Sequence, residues 1–483
     1  MKRLFTSILL LLPVLANAFT GKVEIDGIYY NLITKGKVAE VTYGDSPYAV
    51  SAISIPAKVE YDGIICDVIS IGEEAFKDCI ELTSVSVPTS VTAIGRMAFF
   101  GCEHMVSISG LDNVTSIGSY AFTNCLNMTT FVIPENVKSI EECTFQNCKN
   151  IVSLIIPNKI TTIGYSAFSN CESLSSVIIG SGVESINGSA FRGCTSLSSI
   201  SIPDNVKEME GSVFRNCTSL ESVSIGNGIS YIKGAVFFQC NNLKDVSIGN
   251  CVNTIGPNAF GSCPSLVSFV IPNSVTTIES SAFMNCANLV SVIIGKGCKN
   301  IQSTAFANCP ELKDIYCYAT TMPTTDATAF ENSYCNYTIL HVPFAMVDIY
   351  NGSVPWDGFM NIVSLPVIKY IVDGDLYLQD LIMIGTPITP ILEPIKDGCT
   401  FSGWSEIPKT MPAHDVIVTG SFFKKGDANG DETVNAADII EVVNYIMGNI
   451  SEKFNNIAAD ANEDGVVNVA DIVQIVNIVM ESE

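Results

Sequence analysis

Residues 174–194 read LSSVIIGSGVESINGSAFRGC, and this line recurs along the chain with small changes at one constant period. Its clearest mark is a cysteine every 23 residues, at Cys79, Cys102, Cys125, Cys148, Cys171, Cys194, Cys217, Cys240, Cys263, Cys286 and Cys309, each with phenylalanine three positions before it. A single globular core does not write so fixed a period. Stacked units do, because each buries its apolar side only against its neighbours. Ile160, Ile163, Phe168, Leu174, Val177 and Ile179 return one period later as Val183, Ile186, Phe191, Leu197, Ile200 and Ile202. What repeats is a packing role rather than a residue.

The alternation at Val177 and Ile179 predicts a short strand with one buried face. Proline or glycine ends it, as at Pro157, Gly180 and Pro203. A second short extended piece, such as residues 275–278, then leads into Ala-Phe-x-x-Cys, which reads as a tight helical turn. Each coil is a strand, a turn, a return leg and a turn. The composite Leu-x-x-Val-x-Ile-Pro-x-x-Val-x-x-Ile-Gly-x-x-Ala-Phe-x-x-Cys resembles the BspA-type leucine-rich repeat of bacterial surface proteins over residues 66–317. That resemblance implies a right-handed solenoid used for adhesion and protein binding, usually exported.

Residues 19–65 and 318–365 read as caps, which an array requires where its core would otherwise meet water. In the first, Ile53-Ser-Ile55-Pro56 imitates the repeat; in the second, Tyr350, Trp356 and Phe359 are expected to seal the end. On the strand face, a serine column including Ser153, Ser176 and Ser199 runs beside an outward column of Val132, Ile155, Ile178, Val270 and Ile293. That face is either a contact surface or the solvated side of a sheet.

The formal charge is −24, from 25 basic and 49 acidic residues, so phosphate backbones and anionic lipid repel the chain. Lys2-Arg3, the apolar run from Leu9 to Leu12 and Ala16-Asn17-Ala18 read as an export signal over residues 1–18. The expected location is therefore secreted or on a bacterial cell surface, with no transmembrane segment in the mature chain. Eighteen cysteines in an exported protein ordinarily suggest disulfides. A residue repeated at the coil period instead points its side chain parallel to its equivalents, whereas a disulfide requires converging Cβ vectors. The eleven ladder cysteines are expected to be buried free thiols. Zinc is disfavoured, because no Cys-x-x-Cys pair occurs and His104, His341 and His414 are the only histidines.

From residue 366 to 423 the period stops and strand-like pieces appear between turn signals at Asp373-Gly374 and Asp397-Gly398. The run Asp397-Gly398-Cys399-Thr-Phe401-Ser-Gly403-Trp404 resembles the internalin-type B-repeat, a β-grasp-like module of bacterial surface proteins. A spacer with a core centred on Trp404 is expected.

Residues 424–483 hold twelve carboxylates against Lys424, Lys425 and Lys453, and they contain a duplication 33 residues apart. Asp427, Asn429, Asp431, the carbonyl of Thr433, Asn435 and Asp438 place oxygen donors at alternate positions with a closing carboxylate. Asp460, Asn462, Asp464, the carbonyl of Val466, Asn468 and Asp471 repeat the scheme. That pattern is what a hard cation takes from a twelve-residue loop, so two Ca2+ ions are expected. Gly465 holds the sharp-turn position of the second loop, and Glu432 replaces it in the first. Each loop leads into an apolar helix pattern, Ile439, Val442, Val443 and Ile446, then Ile472, Ile475, Val476 and Val479. The halves resemble a small α-helical type I dockerin. The resemblance implies calcium-dependent binding to a cohesin on a scaffold protein, through Ala436, Ala437, Val443 and Asn444 of one half and Val469, Ala470, Val476 and Asn477 of the other.

The composite expectation is a non-catalytic binding or adhesion protein whose solenoid presents a face to an unknown protein or glycan. The alternative is an accessory part of a polysaccharide-degrading complex. Catalysis is not expected, because the acidic residues gather in the loops rather than facing one another across a pocket.

Overall fold

The structure, a computed structural model, describes residues 19–33 and 36–481; the export signal read over residues 1–18 lies outside the described residues. The chain forms two compact units, Met1–Val363 and Ser364–Glu483.

The first unit is a β-solenoid of about 13 turns with 23-residue coils. Its longer strands pair in parallel and in register: Ser153–Ile156 lies on Ser176–Ile179 with Leu154 opposite Val177 and Ile156 opposite Ile179. The leucine, valine and second isoleucine point inward while the serine and first isoleucine face water, as the period-two pattern requires. The return legs form a second ladder of two-residue strands, in which Thr162–Ile163, Ser185–Ile186 and Glu208–Met209 pair in parallel. The longer ladder reaches into both flanking segments. Ala52–Ser54 lies in register with Ser84–Ser86, and Ile339–Val342 continues the longer ladder beyond Asp314–Cys317.

The segment read as a helical turn is not helical. Its N–H groups alternate between two destinations. Ser166, Phe168 and Asn170 donate to the next coil, at Gly188, Ala190 and Arg192. Ala167, Ser169 and Cys171 donate to Gly164, Ser166 and Phe168 within their own coil. A helix would spend every N–H internally; this run of turns leaves alternate groups to bind the neighbour. The geometry places two left-handed residues in each coil, here Ser166 at φ 50° and Asn170 at φ 60°. Asparagine tolerates that region better than most residues, and it fills the second position at Asn124, Asn147, Asn170, Asn216, Asn285 and Asn308. The amides join across coils, as Asn147 Nδ2 donates to Asn124 Oδ1 at 2.7 Å and Asn170 Nδ2 to Asn147 Oδ1 at 2.9 Å.

Inside, twelve phenylalanines from Phe76 to Phe330 stack with consecutive centroids 5.1–5.6 Å apart. All eleven ladder cysteines are free and buried. From Cys102 onward each thiol donates to the carbonyl of a phenylalanine 26 residues earlier, as Cys194 Sγ does to Phe168 at 3.3 Å. That carbonyl also accepts the Cys171 N–H, so the thiol uses its second lone pair. Burial pushes the Cys171, Cys217 and Cys263 thiols up to about 12, which leaves them inert as nucleophiles. A thiol reagent is expected to label Cys251 at once and the half-buried Cys335 and Cys399 slowly. The other fifteen should react only after denaturation. Rapid labelling of ladder cysteines in the native protein would contradict this packing.

Trp356 and Phe359 are buried against Phe330, each with its centroid 5.3 Å away, and buried Tyr350 packs on Trp356 at 5.1 Å, which closes the stack.

In the second unit, Ile368–Val372 lies between an antiparallel neighbour, Asp375–Asp380, and a parallel one, Val416–Gly420. Cys399–Phe401 and Phe422–Lys424 form a separate antiparallel pair. Trp404 packs against this core, 5.0 Å from Tyr370 and 4.8 Å from Phe401 between centroids. Among the described residues of 366–423 there is no helix, and the β-grasp-like arrangement is not confirmed. Three helices follow, Ala436–Ile446, Asn456–Ala459 and Val469–Glu481. Their core is built twice over, since Ala428, Val434 and Val442 are matched 33 residues later by Ala461, Val467 and Ile475.

Candidate metal centre and docking surface

Both acidic loops fold onto their own backbone in the same way. In the first, Asp427 accepts from the N–H groups of Asp431 at 3.0 Å and Glu432 at 2.8 Å. Asp431 accepts from Thr433 N–H at 2.9 Å, and Asp438 from Asn429 and Asn435 N–H at 3.1 and 2.8 Å. In the second, Asp460 accepts from Asp464 and Gly465, Asp464 from Val466, and Asp471 from Asn462 and Asn468, all at 2.8–3.1 Å. Asn429 accepts from the Asp431 N–H and Asn462 from the Asp464 N–H, both at 2.9 Å. The duplication is therefore one of geometry as well as of sequence.

Glu432 does not distort the first loop. Each loop has two left-handed residues, at its fourth and sixth positions. They are Gly430 at φ 71° and Glu432 at φ 69°, then Glu463 at φ 60° and Gly465 at φ 85°. Each loop thus has glycine at one of the two positions and glutamate at the other, so each bears a comparable cost of roughly 1 kcal/mol.

Asp438 and Asp471 are fully buried. Each sits in the first turn of the helix that follows its loop, and Asp438 completes a capping box with Asn435. Burial pushes the Asp438 carboxyl above its ordinary value, against the pull of the Asn435 and Asn429 amides. The Thr433 hydroxyl, by hydrogen-bonding Asp431, holds that carboxyl below its ordinary value. Among the described residues, no three or more His, Cys, Asp and Glu side chains draw together as a metal cluster. The loops instead alternate carboxylates with asparagine amides and main-chain groups, an all-oxygen set that fits Ca2+ rather than zinc. Asp427, Asn429, Asp431, Asn435 and Asp438 would hold one ion and Asp460, Asn462, Asp464, Asn468 and Asp471 another. Bound there, an ion would supply the charge that orders each acidic loop.

Of the positions named for a partner, Ala436, Ala437, Val443, Val469, Ala470 and Asn477 are exposed, and Asn444 and Val476 are half-buried. The structure adds residues that the sequence reading passed over. Ile440 and Met447 are 60% and 72% exposed, and their equivalents Val473 and Met480 are 58% and 73% exposed. With Val443 and Val476 they make one apolar stripe per helix at the spacing i, i+3, i+7. Their signal in the sequence was a set of apolar residues, duplicated at the 33-residue offset, that the small core could not absorb.

On the solenoid, the outward column changes character along its length. Val132, Ile155 and Ile178 are exposed; Ser201, Ser224 and Ser247 follow; Val270 is exposed and Ile293 and Tyr316 half-buried. The serine stretch, with Ser199, Ser222 and Asp245, lines an open trough of about 470 Å³. Beyond the trough, where the outward column ends, His341 Nε2 lies 2.9 Å from Asp314 Oδ1, and its ring stacks on Tyr316 at 4.2 Å. The 27-residue separation, outside the 23-residue register, hid this pair in the sequence.

Two family models match the chain. One, described as BspA type leucine rich repeat region, matches residues 69–195, 161–289 and 236–353; the other, dockerin type I domain, matches residues 425–480. Among solved structures, the chain is similar to a leucine rich cell surface protein from Faecalibacterium prausnitzii, at 25% identity over 62% of this chain and 95% of that one, with a TM-score of 0.42. It is also similar to a leucine-rich repeat protein from Bacteroides ovatus, at 28% identity over 61% of this chain and 94% of that one, with a TM-score of 0.32. A third, from Eubacterium ventriosum, is 22% identical over 59% and 93%, with a TM-score of 0.36. No curated protein sequence matches.

Proposed function

The chain belongs to the BspA-type leucine-rich repeat family and ends in a type I dockerin domain, and from that premise we propose that it is a non-catalytic bacterial surface protein, plugged by its dockerin into a cohesin-bearing scaffold. The solenoid presents its strand face to a macromolecular partner, residues 366–423 act as a spacer, and residues 424–483 dock. The observation that carries this reading is the doubled docking module: two loops with the same hydrogen bonds, each leading into a helix with an exposed apolar stripe. Both families found are non-catalytic modules. No helix among the described residues is long and apolar enough to cross a membrane, and attachment through a partner accounts for surface display.

Of the two expected roles, adhesion to protein is favoured over handling polysaccharide. Sugar rings are held by exposed aromatic platforms, and the outward column described above offers one tyrosine, Tyr316, already stacked on His341. Branched aliphatics and hydroxyls suit a protein surface better.

The test is capture of a cohesin-bearing protein from the producing cell's surface extract by the full chain, with and without a calcium chelator. Calcium-dependent recovery supports the reading, and recovery of no cohesin counts against it. With that cohesin in hand, Ile440→Asp and Val473→Asp probe the halves. If either helix serves, each single variant keeps its affinity within about twofold while the double variant loses about thirtyfold or more. Full loss from one substitution alone would mean that only one helix docks.

A further inference from the structure

The passage from the β module into the first acidic loop contains no linker. Phe422–Lys424 is the last strand of the module, and Asp427, the first loop residue, follows after only Lys425 and Gly426. Both intervening residues are held from opposite sides. Lys425 N–H donates to the module's Gly398 carbonyl at 2.9 Å, and Gly426 N–H to Ala458 of the short dockerin helix at 2.8 Å. Glycine at a joint ordinarily suggests freedom, but Gly426 is constrained. At φ 85°, a Cβ there would meet Val434 at 3.0 Å and Ile475 at 3.3 Å, so the dockerin core closes directly over it. Lys424 Nζ reaches forward to the Glu432 carbonyl of the first loop at 3.2 Å.

Side chains tie the second loop to the same strands. Glu463, fourth residue of that loop, accepts from Thr400 Oγ1 of the strand Cys399–Phe401 at 3.2 Å and pairs with Lys425 Nζ at 2.9 Å. The helix Asn456–Ala459, which enters the second loop, packs on Cys399–Phe401 and Phe422–Lys424. The equivalent of Glu463 in the first loop is Gly430, which has no side chain to offer, so this attachment is made by the second loop alone. It leaves the stripes of Ile440, Met447, Val473 and Met480 exposed.

We propose that the β module and the dockerin are a single calcium-stiffened body, in which ordering of the second loop by Ca2+ is passed through Glu463 and Lys425 to the strands Cys399–Phe401 and Phe422–Lys424. The spacer is then a rigid arm at its dockerin end, and it gives a pseudo-symmetric docking module one distinguishable face. This rests on the calcium reading above.

The experiment is hydrogen exchange on the full chain in calcium chloride and in chelator. Calcium is expected to slow the amides of residues 399–401 and 422–424 by roughly fivefold or more, together with those of the loops. Glu463→Gly is the uncoupling variant. Glycine suits its left-handed backbone and reproduces Gly430, so the loops should keep their calcium response while the protection of residues 399–401 falls away. Calcium protection confined to residues 427–471 in the parent protein would overturn the coupling, as would unchanged strand protection in Glu463→Gly. Absence of any calcium response in the loops would remove the calcium reading itself and this inference with it.

Discussion

Replacing Asp438 and Asp471 together with alanine is expected to abolish calcium-induced ordering of residues 424–483. Each carboxylate is fully buried, accepts two backbone N–H bonds and closes its loop, so one substitution removes a ligand, a charge and two charge-assisted bonds. Losing those bonds costs about 1–3 kcal/mol per site before any ion is considered. The ion adds a share of similar size, because at a hundred times its dissociation constant a ligand stabilises the folded form by about 2.7 kcal/mol. The double variant should therefore show no calcium-dependent change in helical circular dichroism, no calcium heat by titration calorimetry and no cohesin capture. The solenoid should be untouched, since it shares no residue with the loops. A calcium titration like that of the parent protein would refute the assignment of both closing ligands.

The second large effect is expected at Phe191→Ala. This ring is fully buried and stacked between Phe168 and Phe214, with centroids 5.3 and 5.5 Å away. Truncation leaves a cavity that the hydrogen-bonded coils on either side cannot close, at a cost of about 4 kcal/mol. In a repeat array that loss falls on the two interfaces of one coil, and these are what hold the array together. Urea unfolding should move to a lower midpoint or split into two transitions, with new protease sensitivity near residue 191. Phe191→Leu, which keeps most of the volume, should cost about 1.5 kcal/mol or less. A midpoint unchanged in the alanine variant would mean that the ring stack contributes nothing to cohesion between coils.

The parts of this chain that were legible are those written by period. A 23-residue repeat of Phe and Cys sets which residues stack, and alternation at Val177 and Ile179 sets which face is buried, because each follows from local geometry repeated many times. The offset of 33 likewise assigned Asp427 and Asp460 equivalent places in two loops before any fold was known. What period could not reveal was the use made of the backbone. Ala-Phe-x-x-Cys looks helical in isolation; only the presence of a neighbouring coil makes it worthwhile to turn every second N–H outward and to hold Ser166 and Asn170 left-handed.

The same division runs through the docking module. Donor types and their spacing were local facts, and so was the helix after each loop. That Ile440 and Met447 stand outside the core while Val442 fills it was not, because both apolar stripes satisfy the same helical spacing until the second helix arrives to cover one of them. Nor did any spacing connect Glu463 with Thr400, 63 residues apart, or His341 with Asp314 across an irregular coil. Repetition specifies contacts between equivalent residues, since every coil supplies its own evidence. Contacts that occur once, between inequivalent elements, depend on where packing brings the chain back to itself, and only the folded molecule determines that.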